Sequence, residues 1–378
     1  MRQPLLLLLL LAASLCACRS GHGADTQPSV AADTLPLLRA SLLRIVHTGS
    51  YFTVDIGDAW HPGKTLRRYV LVPRDSAVPR RLPEGTLVRI PLRRAVVLSA
   101  VHAALLRELG RTDRIGGLCD VGYILNRDLR KAVADGRISD MGSSMSPDAE
   151  RIIASGADAL LVSPFENAGH GPLERLGIPL IECADYMEDS PLGRAEWMHF
   201  FGLLFGCERQ ADSLFRKVER EYEALRAAAR DSANRPTLLC DMKEGAAWYV
   251  PAGGSTLGRL YNDAGADYLF AGSKGTGSAA LSFETVMRKA HDADFWIVKY
   301  GRSADLTYSD MAADMPLCRK FRPWHERRVY GCNTLRIPYY EEVPFHPERL
   351  LRDLVHIFHP ELLPDHRLRY YHALNVQP

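Results

Sequence analysis

The chain has 378 residues, 47% of them hydrophobic and 24% charged, with a formal net charge of +2. Less an export signal, that length fills two domains of ordinary size, and the apolar fraction is that of a globular protein. A charge so close to zero argues against a nucleic-acid partner, and the short pairs Arg67-Arg68, Arg80-Arg81 and Arg93-Arg94 read as solvated faces.

Residues 1–18 read as an export signal. Arg2 supplies a positive start, and Leu5 to Ala13 form an apolar run too short to span a bilayer permanently. The run ends in Leu15-Cys16-Ala17-Cys18, which resembles the bacterial lipobox. Leu15 is too large for the residue before a cleaved cysteine, so Cys18 is the expected lipidation site. A plain secretory signal with two incidental cysteines is the alternative. Residues 19–36 open with a polar, aperiodic stretch and are expected to be a flexible tether, so acyl chains would hold the protein at a membrane surface without a spanning helix.

Residues 37–94 look β-rich. Tyr51–Ile56 and Leu66–Val72 are strand-like around a turn at Trp60–Lys64, and a further strand follows Glu84-Gly85-Thr86. These are expected to be hairpins decorating the edge of a first lobe. From 95 to 193 short apolar runs (Ala95–Ser99, Ala159–Ser163, Ile178–Ile181) alternate with helical stretches (Val101–Leu109, Asn126–Asp135, Ser146–Ser155), the signature of a parallel sheet with helices on both faces. Residues 194–231 repeat apolar side chains at Ala211, Leu214, Phe215, Val218, Tyr222 and Leu225, a helical spacing, and no Gly or Pro interrupts 210–230. That predicts a stiff interlobe helix. The α/β texture returns over 232–378, with strands at Thr237–Met242, Trp248–Pro251, Phe295–Val298 and Arg328–Tyr330 and a terminal helix at His346–Ile357. The fold class is therefore α/β, two Rossmann-like lobes joined by one long helix.

Enzymatic signatures are missing: there is no H-E-x-x-H, G-x-S-x-G or G-x-x-x-x-G-K-[ST]. Gly272–Ser278 resembles a phosphate loop only in composition. His356 and His359 share a helix without further ligand candidates, so no metal site is expected. Beyond Cys16 and Cys18, the six remaining cysteines are scattered; Cys318 and Cys332 are a candidate disulfide in an oxidising compartment, and most of the others read as buried small side chains. What exceeds the needs of a fold lies at strand ends, where open α/β sheets bind ligands. Ser99 and His102 follow one strand and Asp120 and Tyr123 another; Trp248 and Tyr249 in the second half, with Tyr300, occupy matching places. Together they outline a cleft between lobes.

Ser99-x-x-His102, Leu109-Gly110 and Asp113-Arg114-Ile115-Gly116-Gly117 are similar to the opening of the periplasmic binding proteins for cobalamin and iron complexes. Asp148-x-Glu150-x-Ile152-Ile153 with Asp158-Ala159-Leu160-Leu161, Leu176–Ile181, Glu196-Trp197 through Tyr222, and Ser282-Phe283-Glu284 followed by Asp292–Ile297 continue the resemblance, which covers 95–357. The resemblance implies a monomeric receptor that binds a small-molecule metal complex, needs no cofactor of its own and catalyses nothing. It implies delivery to the permease of an ABC importer, with one glutamate per lobe docking into permease arginines: Glu166, or alternatively Glu174, in the first lobe and Glu284 in the second. An iron complex, siderophore or haem, is the expected cargo. Cobalamin is the alternative, suited to an apolar aromatic cleft, whereas an anionic siderophore prefers arginines that the strand-end loops scarcely offer. A surface-anchored hydrolase on the same scaffold, or a structural lipoprotein, are the readings from other classes.

Overall fold

The computed structural model describes residues 32–375; the expected lipidation site Cys18 and residues 19–31 of the expected tether fall outside them. The first layer is β1 (Ala32–Thr34), β2 (Leu43–Thr48), β3 (Tyr51–Gly57), β4 (Thr65–Pro73) and β5 (Thr86–Ile90), one five-stranded sheet in that order. Its strands pair antiparallel except β4 with β5. Gly49, at φ 57, makes the tight β2–β3 turn in the left-handed conformation that glycine adopts without strain. The extension is a packed layer and not a fringe of edge hairpins: every side chain from Tyr69 to Val72 is buried, so β4 is covered on both faces.

The segment between β1 and β2 is held by two carboxylates from far along the chain. Glu196 accepts the backbone N–H groups of Leu38, Arg39 and Ala40 at 2.9, 2.7 and 2.6 Å. Glu188 accepts those of Ser41 and Leu42 at 2.8 and 2.9 Å, and the Trp197 indole N–H at 2.9 Å. Successive N–H groups curled around an anion form a nest, and here two nests fasten the extension to the helical spine.

The first lobe follows. β6 (Ala95–Val97), β7 (Ile115–Leu118) and β8 (Ser139–Asp140) precede a small hairpin of β9 (Gly142–Ser143) and β10 (Ser146–Pro147); β11 (Ala159–Val162) and β12 (Leu180–Glu182) complete a parallel sheet in the order β12-β11-β6-β7-β8. Every residue of β6, β7 and β11 is buried, as expected of strands sandwiched between helices. The crossovers carry α1 (Ala100–Glu108), α2 (Arg127–Ala134) and α3 (Ala149–Ala154). Gly117 is needed for close packing: a Cβ there would stand 2.1 Å from Met141 Cε.

The spine is three helices rather than the single one expected over 194–231: α4 (Pro191–Glu196), α5 (Met198–Phe205) and α6 (Glu208–Arg230). Gly206, at φ 63, stops α5 and lets the chain turn into α6. At 23 residues α6 is about 35 Å long. It buries Ala211, Phe215, Val218, Tyr222, Leu225 and Ala229, steps of three and four that keep one stripe inward.

The second lobe contains β13 (Thr237–Cys240), β14 (Lys243–Glu244), β15 (Ala247–Pro251), α7 (Thr256–Asp263), β16 (Asp267–Tyr268), β17 (Ser278–Leu281), α8 (Phe283–Ala290), β18 (Phe295–Tyr300), α9 (Tyr308–Asp314), α10 (Arg322–His325), β19 (Val329–Asn333), α11 (Tyr339–Glu342), α12 (Pro347–Phe358) and β20 (His372–Ala373). Its main sheet runs β16-β13-β18-β19-β20, parallel apart from β20, and β14-β15-β17 form a separate antiparallel sheet. Cys318 and Cys332 do not pair. All six cysteines among the described residues are free and buried, Cys332 inside β19 and Cys318 in the turn before α10. Among the described residues no helix is long and apolar enough to cross a membrane.

The lobes are tied together on both flanks of the spine. Thr256 Oγ1 donates to the Glu188 carbonyl at 2.9 Å and Arg259 pairs with Asp189 at 2.6 Å. On the other flank the Glu341 carboxylate accepts the N–H groups of Leu125 and Asn126 at the start of α2. His346 Nε2 lies 2.6 Å from Glu108 Oε2 on α1, and its Nδ1 lies 2.9 Å from Glu348 Oε1.

Candidate functional site: the interlobe cleft

Loops leaving the carboxyl ends of both parallel sheets supply the candidate site. After β6, Ser99 is the N-cap of α1, half-buried, with no side-chain cap bond. His102 is one turn further on and faces inward at 2% exposure. Its Nε2 is 2.8 Å from Asp185 Oδ1, and Asp185 Oδ2 accepts from Arg194 Nε at 3.0 Å. Burial alone would raise the Asp185 carboxyl, but His102 and Arg194 beside it hold it below its ordinary value. His102 is thus a strut inside the lobe and not a ligand contact, because it shares the buried face of α1 with Ala103, Leu105 and Leu106.

After β7, Asp120 sits in a left-handed conformation at φ 51 and accepts the Ser144 N–H at 3.2 Å, so it positions the β9–β10 hairpin. Tyr123 stands out at 74% exposure, and Met145, at the tip of that hairpin, at 82%. After β11 comes Phe165, 55% exposed, and after β12 comes Tyr186, 40% exposed, its hydroxyl donating to the Pro164 carbonyl. Four of the first lobe's strand-end loops therefore present an apolar or aromatic side chain to solvent.

In the second lobe Trp248 is fully buried, stacked on Trp296 with centroids 5.8 Å apart and its indole N–H donating to the Cys240 carbonyl. It belongs to the core, which corrects its expected place at the cleft. Tyr249, next along β15, is 49% exposed; successive residues of a strand face opposite ways. Tyr300 is half-buried and its hydroxyl accepts the Leu306 N–H at 2.9 Å, which fixes the loop after β18. Asn333 is the matching anchor after β19, its side-chain amide donating to the carbonyls of Arg302 and Ala304 at 2.9 and 3.2 Å. A cavity of ≈ 390 Å³ opens there between Tyr300, Asp305, Asn333 and Arg336. Leu335 and Tyr340, 47% and 59% exposed, extend the apolar surface toward the α2 junction that Glu341 makes. Beneath these loops Lys299 Nζ meets Asp241 Oδ1 at 2.8 Å. Burial would lower the ammonium's pKa, yet Asp241 holds it above the ordinary lysine value, so the pair is a fixed internal charge couple.

Met145, Phe165, Tyr186, Leu335 and Tyr340 were not legible as site residues. The available signal was an apolar residue in a short loop directly after a buried strand. Among the described residues there is no group of three or more side chains placed to hold a metal ion. Glu166 is exposed in the loop after β11, whereas Glu174 is engaged, accepting the His170 N–H at 2.8 Å. Glu284 is exposed in the first turn of α8, where backbone N–H, Ser282 and nearby Lys243 hold its carboxyl below the ordinary range.

Residues 96–334 match the periplasmic binding protein family, and the chain belongs to it. An uncharacterised lipoprotein of Methanocaldococcus jannaschii is 26% identical over 341 residues, 85% of this chain and 80% of that protein. A periplasmic binding protein from Veillonella parvula has a similar structure, with a TM-score of 0.61 at 15% identity over 82% of this chain and 99% of that one. S. aureus IsdE complexed with haem gives a TM-score of 0.56 at 16% identity, covering 70% and 98%. The fold is therefore that of a two-lobed solute-binding protein. The β1–β5 sheet and the elements from α11 to β20 lie outside the matched residues.

Proposed function

We propose that this protein captures an iron complex, siderophore or haem, between its lobes and delivers it to an ABC importer, held at the membrane by lipid on Cys18. The observation that carries this reading is the exposure of Tyr123, Met145, Phe165 and Tyr186 in the loops that follow the first lobe's parallel strands, with Tyr249 in β15 and Tyr340 in α11 of the second lobe. Aromatic faces and a polarisable thioether suit a large, flat, weakly charged guest. The nearby cations Lys299, Arg302 and Arg336 are already paired with Asp241, Asp314 and Asp305, which leaves little for a polyanion. Haem thus fits better than an anionic siderophore, and the same surface suits cobalamin, the second reading. The M. jannaschii relative is named as a lipoprotein, which supports the lipid anchor.

The test is thermal melting of residues 20–378 with haemin, cobalamin and several ferric siderophores in turn. A ligand that binds only the folded state at 100 times its Kd stabilises by about 2.7 kcal/mol. A shift with haemin or a ferric siderophore supports the proposal, a shift with cobalamin alone selects the second reading, and no shift with any of them removes the iron-complex reading. Glu166 and Glu284 are proposed to dock the permease. Glu284→Ala is expected to leave ligand affinity unchanged and reduce uptake in cells; a loss of affinity would place Glu284 in the cleft instead.

A further inference from the structure

The segment Pro316–Arg328, PLCRKFRPWHERR, carries five arginines and lysines against one glutamate, a net +4 within a chain whose total is +2. Its end leads into the first residue of β19 and Arg322 pairs with Asp294 just before β18, so Arg322–Arg328 lies at the amino ends of the second lobe's parallel strands, the pole opposite the cleft, and Arg319 reaches the same place against Trp324. Two of the carboxylates around it are already used, Asp294 by Arg322 at 2.7 Å and Glu326 by Arg328 at 3.2 Å, while exposed Asp292, 3.0 Å from the His291 ring, keeps its charge wherever that histidine is neutral. Arg319, Lys320 and Arg327 are exposed and have no carboxylate partner among the described residues. Arg288 and Lys289, also exposed and without an ion pair, end α8 beside them, where the Arg322 N–H donates to the His291 carbonyl at 2.7 Å.

The cations are also held in place. Arg327 occupies the left-handed region at φ 58, a conformation a branched or long side chain rarely adopts. Its guanidinium lies 4.4 Å from the Tyr308 ring centroid and 5.4 Å from that of Trp324, and Arg319 lies 5.9 Å from Trp324. Stacking on aromatic faces leaves guanidinium N–H edges free to bind oxyanions. Leu317, 43% exposed, adds an apolar side chain to the same turn.

We propose that this pole of the second lobe is a docking surface for the anionic phospholipid headgroups of a bilayer. Five cations without a carboxylate partner among the described residues, beside the single free carboxylate of Asp292, fall within the number that suffices for binding anionic lipid surfaces. A lipid bilayer is the partner because Trp324 and Leu317 put apolar side chains among those cations, the composition favoured at a membrane interface. Contact there turns the cleft away from the bilayer, so the protein rests open to ligand and must release this pole before presenting its cleft to a membrane component.

The experiment is co-sedimentation of residues 20–378, which include every described element, with vesicles of phosphatidylcholine alone or mixed with phosphatidylglycerol. The wild type is expected to pellet with the anionic vesicles only, and high salt to release it. The combination Arg319→Gln, Lys320→Gln and Arg327→Gly is expected to lower the partition coefficient at least about tenfold; glycine suits the Arg327 backbone, so melting temperature checks that the fold is kept. If that triple variant does not fold, the double variant of Arg319 and Lys320 at exposed positions gives the same reading. Equal pelleting with neutral and anionic vesicles overturns the proposal. So does an unchanged partition coefficient in a folded variant, or retention by a soluble polyanion without vesicle binding.

Discussion

Trp248 and Tyr249 are neighbours in β15 with opposite surroundings, one flat against Trp296 and the other half in solvent. Trp248→Ala removes an indole from a fully packed site and leaves the Cys240 carbonyl without its donor. The expected cost is about 3–5 kcal/mol of stability, read from a denaturant midpoint. Tyr249→Ala and Tyr340→Ala, at exposed positions, are expected to change stability by less than about 0.5 kcal/mol. Each is expected to weaken ligand binding by about 1–2 kcal/mol, as a contacting aromatic does. A Tyr249 variant that lost stability like the Trp248 variant, with ligand affinity intact, would move the site away from β15.

Among elements, the β1–β5 extension and the spine depend on one another. Glu196 satisfies three consecutive backbone N–H groups and Arg39, within that nest, reaches Glu219 on α6 at 2.8 Å. Glu196→Ala leaves those donors partly buried without an acceptor, at an expected cost of about 3 kcal/mol. Amide exchange at residues 38–40 is expected to accelerate more than exchange in β13 or β18; uniform acceleration would mean that the nest is part of the global fold rather than a local fastening. Three of the five strands, β3, β4 and β5, and the turn at Trp60–Lys64 were readable from the sequence, whereas β1 lies in the stretch expected to be a tether and β2 and its Gly49 turn were not read. Their assembly into a layer over α5 was not readable, because the carboxylates that secure it stand more than a hundred residues away.

At the scale of the molecule, His346 bridges the lobes, contacting Glu108 on α1 and Glu348 on its own helix while Arg349 also reaches Glu108 at 3.3 Å. Burial would lower the His346 pKa, but the two carboxylates hold it above the ordinary 6.5. Burial likewise would raise Glu108, which His346 and Arg349 hold below its ordinary 4.5. The histidine's stabilising share is therefore complete below pH 6.5 and lost as pH rises through its raised value. The glutamate's share is complete above pH 4.5 and lost as pH falls through its lowered value. His346→Leu breaks a buried pair and is expected to cost about 3 kcal/mol between those limits. The difference in melting temperature from wild type should narrow as pH rises past the histidine's value; a difference independent of pH would assign the loss to packing alone.

The sequence by itself determined the two α/β halves, the apolar parallel strands and the stripe of α6, because period and composition are local properties that neighbouring residues carry together. It also pointed to the ends of the parallel strands, where Asp120, Tyr123 and Tyr300 stand, whereas Tyr249 lies in the middle of β15. Tertiary structure alone decided which aromatic of an adjacent pair is exposed, that His102 turns inward to Asp185, and that Cys318 and Cys332 remain apart. It alone brought Glu341 to Leu125, 216 residues away. Burial and long-range pairing belong to surfaces that exist only once distant segments have packed, and no window of sequence contains both partners.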